Sequence, residues 1–203
     1  MRTILTLSTS QDLLTNLKKQ TAPAHKKLES LPVSSLLLSP DMEIENYTHY
    51  LYLMYNVHRD LEEKVFPLLT EIIDNIELRK KTHLIKEDLS FLNYNLPGSK
   101  SVFKDPKCTI PFALGIMYVV EGSSLGGRYI LKNIETTPGL NKGKGVSYFK
   151  GYGTKTGSKW KSFLNKLIQY ENENNCENEI IEGAMFAFDS IYDHFLITEK
   201  NEN

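Results

Sequence analysis

Residues 118–130, YVVEGSSLGGRYI, place three glycines and two serines inside a stretch that otherwise reads as one long helix. The flanks, residues 110–120 and 129–134, are mostly apolar and give no reason for the helix to end here. Each interior glycine costs a helix about 1 kcal/mol relative to alanine, so three cost about 3 kcal/mol. Gly122 and Gly126 share one helix face, which Gly127 widens. The pattern therefore predicts a flat or bulky partner that approaches the backbone where a Cβ atom would obstruct it.

The composition is that of an ordinary globular protein. The chain has 203 residues and a net charge of −1, with 40% hydrophobic and 24% charged residues. This length is sufficient for one domain with a hydrophobic core. The near-neutral charge argues against a nucleic-acid partner, and the longest apolar run, residues 110–120, is too short to span a membrane. Residues 1–11 do not resemble a signal peptide. Cys108 and Cys176 lack metal-site spacing, which favours reduced thiols in a cytoplasmic protein.

The periodicity predicts an all-α protein. Apolar positions recur at spacings of three and four from Ser10 onward, with Pro23 as a kink or restart, and again along residues 47–65. Further helices are predicted over residues 72–92, 110–134, 158–170 and 179–197, and no stretch alternates with the period of a strand. We expect a single domain over residues 1–203, with flexible ends at residues 1–9 and 198–203.

The candidates for chemistry are few. His25 lies on an apolar face of the first helix with Lys18 two turns earlier, which suits an axial metal ligand beside a cation for an anionic group. The spacing alone does not favour a metal ligand over a buried structural histidine, and both interpretations stay open at this level. Glu62 and Glu121 are isolated carboxylates, which we expect at the surface or in helix-pairing contacts.

Lysines are concentrated late in the chain. Residues 136–170 contain seven lysines and no acidic residue, whereas residues 171–182 contain five glutamates. The run fits a solvated loop followed by a helix, or an electropositive rim for an anionic ligand or an acidic protein.

Two motifs carry a family resemblance. Residues 21–29, TAPAHKKLE, resemble the proximal-helix signature of haem (heme) oxygenases, and residues 118–128 resemble the distal-helix signature of the bacterial, biliverdin-forming branch. Residues 148–153, YFKGYG, and 160–163, WKSF, also match that branch. The resemblance covers residues 10 to 195 and implies an all-α fold with haem sandwiched between the proximal and distal helices.

The resemblance assigns the cofactor-binding residues. His25 matches the axial ligand of the haem iron, and Lys18 falls where the family places a basic residue near a haem propionate. Lys161 matches a second such cation on a later helix.

On the distal side, Gly122, Gly126 and Gly127 match the glycines that pass over the haem face, and Tyr55 matches a tyrosine that helps to order distal water. Ser123 stands where animal members have an aspartate that orders the water needed for oxygen activation. The bacterial branch also tends to lack this aspartate, so the water must be held differently.

The implied reaction uses haem as both cofactor and substrate. It cleaves the macrocycle at a meso carbon with O2 and yields biliverdin, CO and Fe2+. The chain has no flavin or nicotinamide motif, so electrons come from an external reductase of the ferredoxin, flavodoxin or NAD(P)H-dependent type. The basic region Lys142–Lys166 is the candidate docking face for that reductase, and a bilin-accepting protein is a further candidate partner.

Three alternatives are open. The first is a haem carrier or sensor on the same fold, and the second is a non-haem member of the superfamily, such as a di-iron oxidase or a thiaminase-like hydrolase. The third is a helical interaction module whose glycines serve tight helix packing.

Overall fold

The computed structural model describes residues 10–138, 140 and 143–200, and these form helices and turns with no strand among them. This confirms the all-α prediction. The ends predicted to be flexible lie outside the described residues at 1–9 and 201–203, while residues 198–200 continue the last helix. The α-helices are α1 (Ser10–Glu29), α2 (Pro32–Ser35), α3 (Ile44–Asp60), α4 (Thr82–Phe91), α5 (Ile110–Ile134), α6 (Ser147–Lys150), α7 (Thr156–Asn174) and α8 (Glu177–Lys200).

Helix α5 is the central helix and carries the glycine motif in one unbroken run of 25 residues. Its first half is buried almost continuously, from Pro111 to Met117. By length and composition α5 could cross a membrane, but 56% of its most apolar window is buried inside the fold. Burial of this kind is typical of a core helix that the other helices cover.

Two glycines bring α5 and α8 into backbone contact. A Cβ atom on Gly115 would overlap the carbonyl oxygen of Ile180 and lie 2.7 Å from the backbone nitrogen of Ala184. A Cβ atom on Gly183 would overlap the carbonyl oxygen of Phe112 in the same way. Only glycine permits this approach, so the glycines at this crossing serve helix packing.

Helix α1 runs alongside α8 in the same direction. The amide of Asn16 donates a hydrogen bond of 2.7 Å to Glu177, and the ammonium of Lys27 lies 3.7 Å from the ring centre of Tyr192. Helix α1 continues through Pro23, so the restart that was one of the two predicted alternatives does not occur. Helices α1 and α5 therefore share α8 as a common support.

The helix predicted over residues 72–92 is shorter in the structure. A 3-10 turn, Ile76–Arg79, comes first, and α4 begins only at Thr82. The carboxylate of Glu62 marks that start, because it accepts hydrogen bonds of 2.7 and 2.8 Å from the backbone N–H groups of Lys81 and Thr82. Glu62 therefore caps α4 from a distant segment instead of pairing along its own helix.

The buried histidine His194 makes stability sensitive to acid. Burial lowers its pKa to about 4, although a backbone hydrogen bond with Leu53 acts in the opposite direction. An unfolded histidine titrates near 6.5, so the unfolded chain binds more protons between these values. The stabilisation is therefore complete above about pH 6.5 and is lost as the pH falls toward 4. We expect this residue to reduce the free energy of unfolding by on the order of 3 kcal/mol over that range.

The measurement is urea unfolding of wild type and His194→Gln at several pH values. Other titrating groups contribute to both proteins, so the difference between the two curves isolates His194. Equal pH dependence in the two proteins would contradict the assignment.

Candidate functional site

His25 presents one ring nitrogen outward from α1. Its Nδ1 atom lies 3.1 Å from the carboxylate of Glu29 one turn later, and its ring meets that of Phe188 of α8 edge-on at 5.7 Å. The side chain is 57% exposed. A carboxylate at Nδ1 favours the tautomer that carries its proton there, which leaves the Nε2 lone pair available to a metal. The geometry therefore fits an axial ligand better than a buried structural histidine.

The glycines of α5 differ in what they face. A Cβ atom on Gly122 would lie 3.3 Å from the indole of Trp160, and one on Gly127 would lie 3.4 Å from the ring of Phe149. A Cβ atom on Gly126 would meet nothing within 4 Å. This stretch of helix thus has aromatic rings on two sides and bare backbone at Gly126. An open backbone surface on a helix is suited to a flat ligand, and of the three predicted glycines Gly126 provides it.

The short helix α6 is held against α5 by Asp88 of α4. The Asp88 carboxylate accepts hydrogen bonds of 2.8 Å from the backbone N–H groups of Ser147 and Tyr148. These bonds satisfy free donors at the start of α6 and fix where its aromatic side chains lie. The hydroxyl of Tyr148 lies 3.2 Å from Nε2 of His58, and the Phe149 ring stacks on Tyr50 at 5.9 Å.

A small polar cavity of about 30 Å³ lies between α5 and α6. Ser123 and Gly127 of the glycine motif form part of its wall, together with Tyr148. Its complete lining is Tyr50, Lys81, Ser123, Ser124, Gly127, Ile130, Tyr148, Phe149, Gly151, Tyr152 and Thr156. The cavity has room for about one or two water molecules and the polar partners that such water needs.

Glu121 belongs to a buried ion cluster behind this cavity, which corrects the prediction of a surface carboxylate. It pairs with Arg79 and accepts a hydrogen bond of 3.0 Å from the hydroxyl of Tyr152. Arg79 and Glu121 are each 3% exposed. Losing one partner would leave the other charge buried and unpaired. The sequence missed this pair because 42 residues separate its members.

Lys81 is a second feature that the sequence did not indicate. It is 3% exposed, and its ammonium lies 4.7 Å from the ring centre of Tyr152. Burial lowers its pKa, while Glu121 and Glu62 act in the opposite direction. In the sequence Lys81 simply follows Lys80, and nothing in the pattern distinguishes it from a solvated lysine.

The remaining predicted residues are distributed as follows. Lys18 of α1 and Lys161 of α7 are both exposed, and Lys161 directly follows Trp160, the residue that covers Gly122. Tyr55 lies on α3. Its ring lies 5.6 Å from the ammonium of Lys86 on α4, and the tyrosine of α3 beside the cavity is Tyr50. Five positions turn a helix by about 140°, so Tyr50 and Tyr55 face different neighbours.

Comparisons with known proteins give a family match over most of the chain. The sequence pattern of the heme oxygenase family matches residues 11–196. Heme oxygenase PigA of Pseudomonas aeruginosa is 26% identical over 199 residues, covering 95% of this chain and 96% of that protein.

Solved structures share the fold. The heme oxygenase of Neisseria meningitidis, determined with NO and CO bound, superposes with a TM-score of 0.72 at 23% identity, covering 90% of this chain and 92% of that one. The heme oxygenase of Leptospira interrogans gives a TM-score of 0.75 at 18% identity, covering 90% of this chain and 98% of that one. Heme oxygenase-1 of the cyanobacterium Synechocystis, in complex with heme, gives 0.68 at 18% identity, covering 93% of each chain. Since the family pattern extends over nearly the whole chain, this protein belongs to the heme oxygenase family.

Proposed function

We propose that the protein is a biliverdin-forming haem oxygenase. It would cleave haem at a meso carbon with O2 and external electrons, and release biliverdin, CO and Fe2+. The observation that carries this proposal is a pair of features on two helices that both pack against α8. These are His25, with Nδ1 held by Glu29, and the bare backbone of α5 at Gly126. Membership of the family supports the same conclusion.

His25 would hold the haem iron through Nε2, and Glu29 would keep its ring in the required tautomer. When bound, haem supplies the redox chemistry and the carbon skeleton that is cleaved. The exposed cations Lys18 and Lys161 would bind the propionates at the rim, where an ammonium can reach a carboxylate without losing its hydration.

The glycine surface of α5 would limit how a small molecule fits on the other face of the ring. Gly126 leaves the helix backbone bare, so a flat ring could lie close to α5 there and leave little room between ring and helix. The Ser123 hydroxyl donates a hydrogen bond of 2.7 Å to the carbonyl of Val120. It is therefore a weak polar group and not a strong acid at the position where animal members have an aspartate.

Electron supply would come from an acidic reductase that docks on the basic region Lys142–Lys166. Lys142 lies outside the described residues, and Lys166 forms an ion pair with Asp74 at 3.1 Å. Lys144, Lys155 and Lys161 are exposed and available to a partner. Opposite charges at a docking face accelerate encounter most at low ionic strength.

Charge reversal at this face should therefore slow electron delivery. We expect Lys155→Glu to lower the turnover rate with an acidic ferredoxin or flavodoxin donor at least about threefold at low salt, with the difference shrinking as salt rises. Lys104→Glu changes the net charge equally at an exposed site outside the region and is the control. Turnover insensitive to both ionic strength and Lys155→Glu would exclude docking at this face.

Reconstitution with haemin tests the function itself. A stoichiometric complex should form, lose its Soret band on reduction under O2, and yield a biliverdin that chromatography identifies. A complex that keeps its Soret band under these conditions would be a carrier or sensor. The described residues bring together no group of three or more His, Cys, Asp or Glu side chains that could hold a metal ion, a group that a di-iron relative requires. A cytoplasmic location remains our expectation from the sequence.

A further inference from the structure

The small cavity between α5 and α6 is lined by hydroxyl groups whose protons are mostly not directed to the cavity. Several of its hydroxyl protons are used on acceptors within the protein. Ser123 donates to the Val120 carbonyl at 2.7 Å, Ser124 to the Glu121 carbonyl at 2.6 Å, and Thr156 to the Gly153 carbonyl at 2.9 Å. Each hydroxyl oxygen keeps lone pairs that can accept a further hydrogen bond. The cavity wall is therefore rich in acceptors.

Lys81 supplies a charged donor at the same cavity. Its backbone is fixed by the hydrogen bond to Glu62, and its side chain is buried against the Tyr152 ring. The charged groups around it are Arg79, Glu121 and Glu62, so the cluster contains two cations and two carboxylates. An ammonium in this position can donate to water in the cavity, and that water can donate in turn to the hydroxyl oxygens.

Tyr148 of α6 lines the same cavity and is held in place by several contacts. His58 contacts its hydroxyl at 3.2 Å, Asp88 fixes its backbone at 2.8 Å, and the Ser123 hydroxyl lies beside it. Burial lowers the pKa of His58 well below its usual value and raises that of Tyr148, so both groups are neutral near pH 7. The wall therefore presents a fixed hydroxyl next to the serine of the glycine motif.

We infer that this cavity is a hydration site in which Lys81 and Tyr148 orient water beside Ser123. Lys81 is thus a positioning residue that places a positive charge close to the oxygen-binding face of the haem. The inference rests on the proposed function, because it assumes that haem lies against α5. It assigns to Lys81 and Tyr148 the task that the missing aspartate performs in animal members, namely keeping water in place near the glycines.

The acid–alkaline transition of the ferric haem complex provides a readout independent of turnover. A nearby positive charge favours the deprotonated form of water bound on that face. We therefore expect Lys81→Met to raise the midpoint pH of the transition, corresponding to at least about a threefold weaker acid. Tyr148→Phe keeps the ring and its packing, and should alter the high-spin to low-spin ratio seen in the visible spectrum. Lys80→Met is the matched control, since Lys80 is the adjacent lysine and pairs with Glu77 away from the cavity.

The outcomes separate the two proposals. A Lys81→Met midpoint equal to that of wild type and Lys80→Met would overturn the inference, while turnover by the wild type would still support the function. A titration shift in a complex that never forms biliverdin would support the inference and refute the function. Failure of the wild type to bind haemin would refute both. If Lys81→Met does not fold, Lys81→Gln under the same titration replaces it, with circular dichroism as the check.

Discussion

Replacing His25 with alanine is expected to abolish biliverdin formation, with a loss of at least about 100-fold. Changing only a hydrogen-bond partner of a metal ligand typically costs 10–100-fold, and removal of the ligand itself should exceed that. The alanine side chain leaves no nitrogen for the iron. The Soret band of the reconstituted protein should shift, and turnover by the purified complex is the direct measurement.

Two companion experiments make the assignment specific. Imidazole added to His25→Ala should restore part of the original spectrum, because the small ligand can occupy the vacated position. Glu29→Gln should keep the ligand and lower turnover only about tenfold, since it removes the charged partner of Nδ1 at 3.1 Å. A His25→Ala protein with unchanged spectrum and turnover would contradict the assignment of His25 as the axial ligand.

The glycines of α5 should separate into two classes when each is replaced by alanine. Gly115→Ala places a methyl group against the backbone of α8, where no side chain can rotate away. We expect the free energy of unfolding to fall by on the order of 3 kcal/mol, because the two helices must move apart. Urea unfolding of the protein without haem measures this effect.

Gly126→Ala should act in the opposite direction on stability. No atom lies within 4 Å of the added methyl group, so alanine should raise the free energy of unfolding by about 1 kcal/mol through its better helix propensity. The same methyl would stand between the helix and the ring of bound haem, and turnover should fall about 10- to 100-fold.

Gly157→Ala is the matched control for the glycine series. Gly157 lies in α7, also with nothing within 4 Å, and should show a stability gain with no loss of turnover. A Gly126→Ala protein that keeps full turnover would place the haem elsewhere. A Gly115→Ala protein as stable as wild type would contradict the close α5–α8 crossing.

Local sequence patterns are enough to predict the helical fold and to single out α1 and α5. The periodicity of apolar residues shows which face of a helix is buried, and this local property can be seen in one sequence. The glycine pattern predicted a partner for this face of α5. In the structure Trp160 and Phe149 contact Gly122 and Gly127, and Gly126 is left bare. The assignment of His25 as a haem ligand came only from the motif of residues 21–29, because its spacing alone did not favour a ligand over a structural histidine.

The arrangement of the polar groups around the glycines follows from long-range packing. Lys81, Tyr148 and Glu121 lie on separate segments, and contacts such as Arg79 with Glu121 connect residues 42 positions apart. Helical periodicity carries no information about such pairs, because it describes one segment at a time. Packing also decides which α3 tyrosine lines the cavity: Tyr50 does so beside Phe149 of α6, and the distal role of Tyr55 stays a prediction.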